Sequence, residues 1–412
     1  MSRLMTAALL AGALYLPATP ALAEPLTLEQ AIQRASEGAP RLQASNAAVE
    51  AARAGRIQAS VRPNPTVTVT GENLGGSGRY DVLSQSEVTA SYSQTLERGG
   101  KREARTAWAE RDVGVASASA QVARLDLAAQ VERAYYDVII ADEIAWAAEY
   151  RLQTERQMQA EALRRVRGYK DPLFVETRAA ARVAQAEIYL QEAKRKQVTA
   201  RNVLASFWGG TGEGLEVTGN VLTDAERPLV IAPADEAYEE ARIARAKAAV
   251  MLEQSRGVQD YTVSGGLRYL RGTGDIAVVT GVTIPLGRFD RNQGNIERAQ
   301  ADRRRLEFEA EADRLERLRR LAALRADADA ARLRADAIKA EVLPRTVRTL
   351  DQVRDGYRRG GFTFRDVQDA ADAIIEVQEQ WIAAANRWRD LQTEIDRLSG
   401  RFDAPARGET DQ

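Results

Sequence analysis

Two neighbouring segments that alternate between apolar and small or polar residues most constrain how this chain can fold. They are Tyr261–Tyr269 and Ile276–Ile284, and the turn-rich stretch Arg271–Asp275 lies between them. A period of two predicts β-strands, and two such runs around a short turn predict a β-hairpin. Strands of about 9–11 residues have the length that a tilted strand needs to cross a lipid bilayer.

A second predicted hairpin lies upstream, where Thr66–Thr70 and Glu87–Leu96 flank the loop Gly71–Asp81. Four twisted strands cannot close into a barrel, and an open sheet edge in lipid would leave backbone N–H and C=O groups unpaired. An isolated hairpin in water is only marginally stable. We therefore expect several copies of the chain to combine their strands in one closed barrel, and three copies would supply about twelve strands. The alternative is a pair of soluble hairpins that cap a helical rod.

Residues 1–23 are predicted to be a secretory signal peptide. Arg3 gives positive charge, Leu4–Leu16 is a short apolar segment, and Ala21–Ala23 forms a small-residue cleavage site before Glu24. The apolar segment is too short for a membrane anchor, and no cysteine follows the cleavage site, which excludes an N-terminal lipid anchor. Elsewhere the sequence has no apolar run of about 18 residues, so we expect no transmembrane helix.

The remaining sequence has helical periodicity, and its layout occurs twice. Gly168 and Val175 have counterparts 192 positions later, at Gly360 and Val367. Such a repeat predicts a tandem duplication of helix, hairpin, long helix, turn and helix. The predicted divisions are residues 24–208 for the first repeat (helix, β-hairpin 64–96 and helical hairpin 98–208), 209–233 for a connector, 234–400 for the second repeat (helix, β-hairpin 259–286 and helical hairpin 290–400), and 401–412 for a disordered tail.

The longest helical pattern ends at Arg167 and contains two interleaved heptad rows of apolar residues, which are typical of a coiled coil. About 65 residues at about 1.5 Å each would form a rod of about 100 Å. Pro344 interrupts the corresponding pattern in the second repeat and is expected to kink or split that helix. The predicted fold is mainly α with a small β part. Long coiled-coil helical hairpins would form an α-barrel, and four transmembrane β-strands per chain would complete a twelve-stranded β-barrel in a trimer.

The composition argues against an enzyme. The chain has no histidine and no cysteine, so the usual general base, the thiol nucleophile and the imidazole or thiolate metal ligands are missing. It has no P-loop or Rossmann glycine pattern, and a net charge of −1 gives no electrostatic footprint for nucleic acid. We therefore predict no catalytic site, no cofactor and no bound metal. A passing metal ion would move past carboxylates rather than be held.

Four motifs carry a resemblance to a known family: Arg62–Pro65, Gly71–Asn73, Leu96–Arg102 and Ile284–Gly294. Together with the layout, they resemble the TolC-type outer-membrane efflux channels over nearly the whole mature chain. More narrowly, they resemble the cobalt-zinc-cadmium cation-efflux branch of that family. The last of the four motifs is the most specific.

The resemblance implies a function and a set of partners. Family members are homotrimers whose barrel sits in the outer membrane of a Gram-negative cell and whose helical tunnel crosses the periplasm. They are passive exit ducts that dock to a periplasmic adaptor (a membrane fusion protein) and an inner-membrane pump, here expected to be of the resistance-nodulation-division type. The branch implies export of divalent heavy-metal cations, although the pump selects the cargo.

The resemblance also implies a gate at the last helical reversal. Tyr357, Asp366 and Asp369 match the aperture pattern of the family, and the two acids are three residues apart on one helix face. Threefold symmetry would repeat them as two rings of carboxylates that attract cations. The alternative is that acids in a first helical turn only stabilise the helix N-terminus. Asp171, in the corresponding turn of the first repeat, is expected to be only an N-cap.

Adaptor docking is implied at the same two turns and in the grooves beside them. The apolar residues near the turns could equally pack inside the helical hairpins, and the glycines are needed at the turns for backbone reasons. The implied docking residues are Gly168, Tyr169, Leu173, Val175, Gly360, Gly361, Phe362 and Val367.

The sequence is also compatible with a soluble periplasmic coiled-coil protein, either structural or an adaptor. An adaptor should carry lipoyl-like and barrel-type β-domains around a single helical hairpin. This chain has two predicted helical hairpins and only four long strands, which disfavours an adaptor.

Overall fold

The computed structural model describes residues 25–223 and 230–403, so the predicted signal peptide lies outside the described residues. Within these ranges the chain is mainly helical with one small antiparallel sheet, as predicted. The helices are α1 (Leu28–Gly38), α2 (Pro40–Ala59), α3 (Lys101–Arg167), α4 (Phe174–Ser206), α5 (Pro233–Arg256), α6 (Gln293–Ala337), α7 (Leu343–Arg359) and α8 (Phe364–Leu398). The strands are β1 (Thr66–Glu72), β2 (Glu87–Leu96), β3 (Tyr261–Leu270) and β4 (Asp275–Thr283).

Both hairpins belong to a single four-stranded sheet with the order β1–β2–β3–β4. β2 pairs with β3 along its whole length, from Glu87 opposite Leu270 to Leu96 opposite Tyr261. This pairing joins the two repeats and goes beyond the sequence prediction, which concerns each hairpin separately. β1 and β4 are the outer strands, so each has one edge that no other described strand covers.

The sheet has one apolar face and one polar face. Alternate residues place large apolar side chains on one face, where Val67 is 73% exposed, Ile276 70% and Val278 76%. The other face consists mainly of small polar residues such as Thr68 and Ser91. A contiguous exposed apolar surface of this kind marks a region that contacts lipid or another protein.

The long helix α3 is the axis of the helical part. It packs against α4 to form the first helical hairpin, and also against α2, α5 and α8. Its middle lies in a core that includes α1, α6 and α8, where Val131, Tyr135 and Trp388 are among the most deeply buried residues. The predicted heptad rows mark the buried side of α3 only in part. Tyr136 and Ile139 of these rows are buried, but Trp146 is 59% exposed, and the deeply buried Val131 and Tyr135 lie outside the rows. None of the helices within residues 25–223 and 230–403 combines the length and apolar composition that a membrane crossing requires.

Part of the predicted connector is fixed against this core by hydrogen bonds. Leu26 forms a parallel bridge with Val217, and its N–H donates to the carbonyl of Glu216 at 2.8 Å. The hydroxyl of Tyr135 lies between two carbonyls, those of Leu26 and Thr218, and can donate to either. The irregular segment thus lies beside the middle of α3 because its peptide groups find partners there.

The long helix of the second repeat is interrupted near Pro344, as predicted. α6 ends at Ala337, and a five-residue π-helical segment, Ile338–Val342, precedes α7. Proline has no N–H, and its ring displaces the carbonyl of the residue four positions earlier, so the α-helical ladder cannot continue through it. The wider π-turn accommodates this misfit.

Ordered structure continues past residue 400, the predicted end of the second repeat. Nη1 of Arg401 lies 2.8 Å from Oε1 of Glu132 on α3 and also contacts the carboxylate of Asp396 on α8. Both carboxylates are buried, and burial together with the charge of Asp396 raises the pKa of Glu132 to about 8. Residues 401–403 therefore attach the chain end to α3. The rest of the predicted disordered tail (401–412), residues 404–412, lies outside the described residues.

Replacing Arg401 by alanine should lower the free energy of unfolding by about 3 kcal/mol when measured at a pH above the raised pKa of Glu132, because two buried carboxylates then lose the guanidinium that they share. Arg387→Ala is the matched control on α8. Among residues 25–223 and 230–403, Arg387 makes only an exposed pair with Asp327 at 3.8 Å, and its loss should cost about 0.5 kcal/mol or less. Denaturant unfolding followed by circular dichroism measures both variants. Equally small losses would contradict the anchoring role of Arg401.

Candidate functional site at the helical tips

The two helical hairpins reverse direction in short turns that lie beside each other. In the first turn, Gly168 follows the end of α3, and Tyr169 takes a left-handed backbone conformation with a φ of 55°. In the second turn, Gly360 caps α7 with a φ of 84°, a conformation that favours glycine, and Thr363 is the N-cap of α8. Side chains that cross from one repeat to the other connect the two turns.

An arginine, an aspartate and a tyrosine form the main contact, which we call the tip cluster. The guanidinium of Arg165 donates to both carboxylate oxygens of Asp171 at 3.0 Å each, and to the backbone carbonyl of Tyr357 at 2.7 Å. The hydroxyl of Tyr357 donates to Asp171. The guanidinium also lies 4.3 Å from the centre of the Tyr357 ring, within the range of a cation–π contact. One charged group thus joins the first turn to the end of α7.

Each member of the tip cluster changes the proton affinity of its neighbours. The Arg165 guanidinium, helped by the Tyr357 hydroxyl, holds the pKa of Asp171 below its ordinary value of 3.8, so the carboxylate is charged at neutral pH. Burial and the hydrogen bond to Asp171 raise the pKa of Tyr357, so its hydroxyl keeps its proton. Hydrogen bonds to an ionised carboxylate, particularly bidentate ones from arginine, are stronger than those between neutral groups.

Two further sets of ion pairs join the repeats near the tips. Arg358 on α7 lies 2.9 Å from Glu161 on α3. Arg182 on α4 lies 2.9 Å from Glu155 on α3 and also contacts Asp372 on α8. The two glutamates are buried. Since a buried carboxylate without a partner is costly, these pairs resist separation of the two helical hairpins.

The predicted gate residues lie in different environments. Tyr357 is 1% exposed and belongs to the tip cluster. Asp366 forms a capping box with Thr363, and its carboxylate accepts from the N–H and the hydroxyl of Thr363 at 2.7 Å each. These bonds lower the pKa of Asp366 and match the alternative in which it stabilises the start of α8. Asp369 is exposed, and its carboxylate lies 3.8 Å from Arg365.

Asp171 differs from its sequence prediction. It does not cap α4, because the N-cap position of that helix is occupied by Leu173 and no side chain caps the helix. Asp171 instead binds Arg165, a residue that the sequence analysis does not single out. The spacing of the predicted repeat could have indicated that the two turns contact each other. Arg165 and Tyr357 are 192 positions apart, so they occupy equivalent positions in the two repeats.

The predicted docking residues divide into exposed and buried sets. Tyr169 is 98% exposed, Leu173 72% and Phe362 47%, so these side chains face solvent. Val175 and Val367 are buried in the same apolar cluster, which matches the alternative of packing inside the hairpins. The remaining members form the turns themselves: Gly168, Gly360 and Gly361.

Tyr357→Phe removes the hydroxyl of the tip cluster but keeps the ring beside Arg165. We expect the tips to lose about 2 kcal/mol of local stability, because a hydrogen bond to a charged carboxylate is lost. Amide hydrogen exchange of the residues around both turns measures this change. Tyr169→Phe is the control, since that side chain is 98% exposed. Unchanged protection in Tyr357→Phe would show that the cluster does not hold the tips together.

Comparisons with known proteins agree with this architecture. Residues 31–210 match the family described as "Outer membrane efflux protein". The chain is 32% identical to the cobalt-zinc-cadmium resistance protein CzcC of Cupriavidus metallidurans over 390 residues, which covers 92% of this chain and 91% of that protein. It is 30% identical to the nickel and cobalt resistance protein CnrC of the same organism, over 65% of each chain.

Solved structures show the same fold. The outer membrane protein VceC of Vibrio cholerae is similar with a TM-score of 0.74 at 19% sequence identity, and the similarity covers 90% of this chain and 96% of that chain. The resemblance inferred from the sequence motifs is therefore confirmed, and this chain belongs to the family of outer membrane efflux proteins.

Proposed function

We propose that three copies of this chain form a passive exit duct of a tripartite efflux system. A twelve-stranded barrel would lie in the outer membrane of a Gram-negative cell, and the helical hairpins would form a tunnel in the periplasm. Membership of the outer membrane efflux family supports this proposal. The observation that carries it is the sheet, which has one apolar face, one polar face and two edges that no other described strand covers.

The free edges of the sheet explain why several copies are needed. In lipid, each unpaired N–H or C=O of β1 and β4 would cost several kcal/mol. Pairing β1 of one copy with β4 of the next removes every free edge and closes the sheet. The apolar face then contacts lipid, and the polar face lines a lumen that can hold water in a barrel of this size. In a soluble coiled-coil or adaptor protein, the exposed apolar face would need a protein partner to cover it or would promote aggregation.

The gate of the duct is proposed to lie at the tips. The tip cluster holds the second helical hairpin against the first, so Tyr357, with Asp171 and Arg165, would keep the tunnel narrow. Threefold repetition of Asp366 and Asp369 would add rings of carboxylates there. Because Asp369 is exposed and has only a 3.8 Å ion pair, its charge is available to passing cations.

Divalent heavy-metal cations are the proposed cargo. Two relatives are described as resistance proteins for cobalt, zinc and cadmium and for nickel and cobalt. The exposed side chains of Tyr169, Leu173 and Phe362 would form the surface on which a periplasmic adaptor docks, and the adaptor would connect the duct to an inner-membrane pump of the resistance-nodulation-division type.

A lysine scan of two adjacent positions tests the barrel. Val278 lies on the apolar face and Val279 on the polar face. Val278→Lys should reduce the amount of heat-modifiable trimer in the outer membrane, because a lysine facing lipid costs about 2–4 kcal/mol. Val279→Lys should leave the trimer in place, since its charge would face water. Equal yields of both variants, or recovery of the wild-type chain as a soluble monomer, would overturn the proposed duct.

The aperture carboxylates are tested by block of the channel. Asp366→Ala combined with Asp369→Ala should abolish high-affinity block of conductance by multivalent cations in planar bilayers. Asp366 also caps α8, so Thr363→Ala is the control, because it removes the capping hydroxyl and keeps both charges. Block should persist in that control. Persistence of block in the double variant would place the cation-binding ring elsewhere.

A further inference from the structure

The polar face of the sheet carries its charged side chains at one end only. The strand register aligns Glu72, Glu87, Leu270 and Asp275 in a row across all four strands. Arg268 belongs to the next row, opposite Thr89. The other polar-face positions of the four strands are uncharged: Thr66, Thr68, Thr70, Thr89, Ser91, Ser93, Thr95, Thr262, Ser264, Gly266, Leu270, Ala277, Val279, Gly281 and Thr283. We call Glu72, Glu87, Arg268 and Asp275 the charged rim.

The charged rim contains an arrangement that is unfavourable without its arginine. Glu72 and Glu87 are directly opposite each other in an antiparallel pair, where like charges repel. Arg268 lies between them, with Nη2 3.2 Å from Glu72 and Nη1 3.0 Å from Glu87. Its Nε donates to the Thr89 hydroxyl at 3.0 Å, which fixes the guanidinium in place. The guanidinium of Arg268 reduces the repulsion between Glu72 and Glu87, but its single positive charge offsets only one of their two negative charges.

Asp275 adds a second uncompensated charge. It is exposed, and it makes no ion pair with any residue in the described part of the chain. Three carboxylates and one guanidinium leave the charged rim with a net charge of about −2 per chain at neutral pH. The apolar face of the same strands has no charged residue, so the excess lies entirely on the polar side of the sheet.

The position of the charged rim follows from the connections of the strands. The rim residues adjoin the loops β1–β2 and β3–β4, whereas the opposite strand ends lead into the helices, for example from Leu96 to α3. The rim therefore lies at the end of the sheet that is remote from the helical tunnel. In a closed trimer, it would form one ring at the outer mouth, with nine carboxylates and three guanidiniums.

We propose that the charged rim is a second selectivity element of the duct, which favours small inorganic cations over anions where the lumen opens to the exterior. Glu72, Glu87 and Asp275 supply the field, and Arg268 is a positioning residue that holds the two glutamates. The proposal rests on the trimeric duct proposed above. A ring of one sign of charge in a confined lumen raises the local concentration of the opposite ion.

Because salt screens fixed charges, the side of the bilayer that receives dilute salt decides which ring of charges affects the measurement. The Debye length is about 10 Å at 0.1 M salt and about 3 Å at 1 M, so a fixed ring acts mainly on the ions of the dilute side next to it. Reversal potentials of oriented channels in a planar bilayer should therefore depend on the rim when dilute KCl bathes the barrel side. When dilute KCl bathes the tip side, the aperture carboxylates should dominate instead.

Substitutions that remove charge but keep the shape of the side chain test the effect of the rim charges. Glu87→Gln combined with Asp275→Asn should lower the potassium-to-chloride permeability ratio by about twofold with dilute salt on the barrel side, and by less with dilute salt on the tip side. Arg268→Gln should raise the ratio on the barrel side. Glu213→Gln is the matched control, because it removes one negative charge from the exposed connector, and it should change neither ratio.

The outcomes distinguish the rim from the duct. Wild-type channels that conduct, with an unchanged ratio in the double variant, would overturn the charged rim and leave the duct intact. Wild-type protein that gives no conductance would overturn the duct and the rim together. Arg268→Gln leaves two opposed carboxylates uncompensated and can fail to assemble. Asp275 is not in contact with Arg268. In that case the permeability ratio of the single variant Asp275→Asn, measured with dilute salt on the barrel side, tests the charged rim.

Discussion

Backbone hydrogen bonding along the two outer strands is the constraint on which the rest of this structure depends. β1 and β4 have polar peptide groups without partners in the described chain, and the exposed apolar face of the same sheet favours lipid surroundings. Lipid offers no water to those groups, so they need another strand. The sheet is thus incomplete by itself, and its two different faces suit the proposed barrel, in which one face would meet hydrocarbon and the other water.

At the helical tips, contacts between charged groups hold the two helical hairpins together. The tips are joined by Arg165, Asp171 and Tyr357 and by ion pairs to buried glutamates, rather than by apolar packing alone. Gln368 lies beside them, 1% exposed, with neither amide atom hydrogen-bonded to any described residue. An unpaired buried amide lowers local stability. A region that combines specific polar contacts with modest stability suits the proposed gate, which would have to hold the two helical hairpins together and also let them separate.

The sequence predicts features whose signal is local. The strand alternation, the long helical pattern that ends at Arg167 and the interruption near Pro344 each depend on neighbouring residues, and each is found in the structure. The pairing of β2 with β3, the hydrogen bond from Tyr357 to Asp171 and the contact of Arg401 with the buried Glu132 depend on contacts between distant segments. An aspartate before a proline has the local features of an N-cap. In the structure this carboxylate instead binds Arg165, six residues earlier at the end of α3, and α7 adds the hydroxyl of Tyr357.

The contact between Arg165 and Tyr357 joins positions that are equivalent in the two halves predicted from the sequence to be repeats. If the halves were separate, identical molecules related by a dyad, each such position would face its own copy. Arginine would then oppose arginine, and two like cations repel. Fusion of the halves into one polypeptide removes this restriction, because each half can then accumulate its own substitutions. A cation–aromatic contact between equivalent positions is therefore possible in one chain but not between two identical halves related by a dyad.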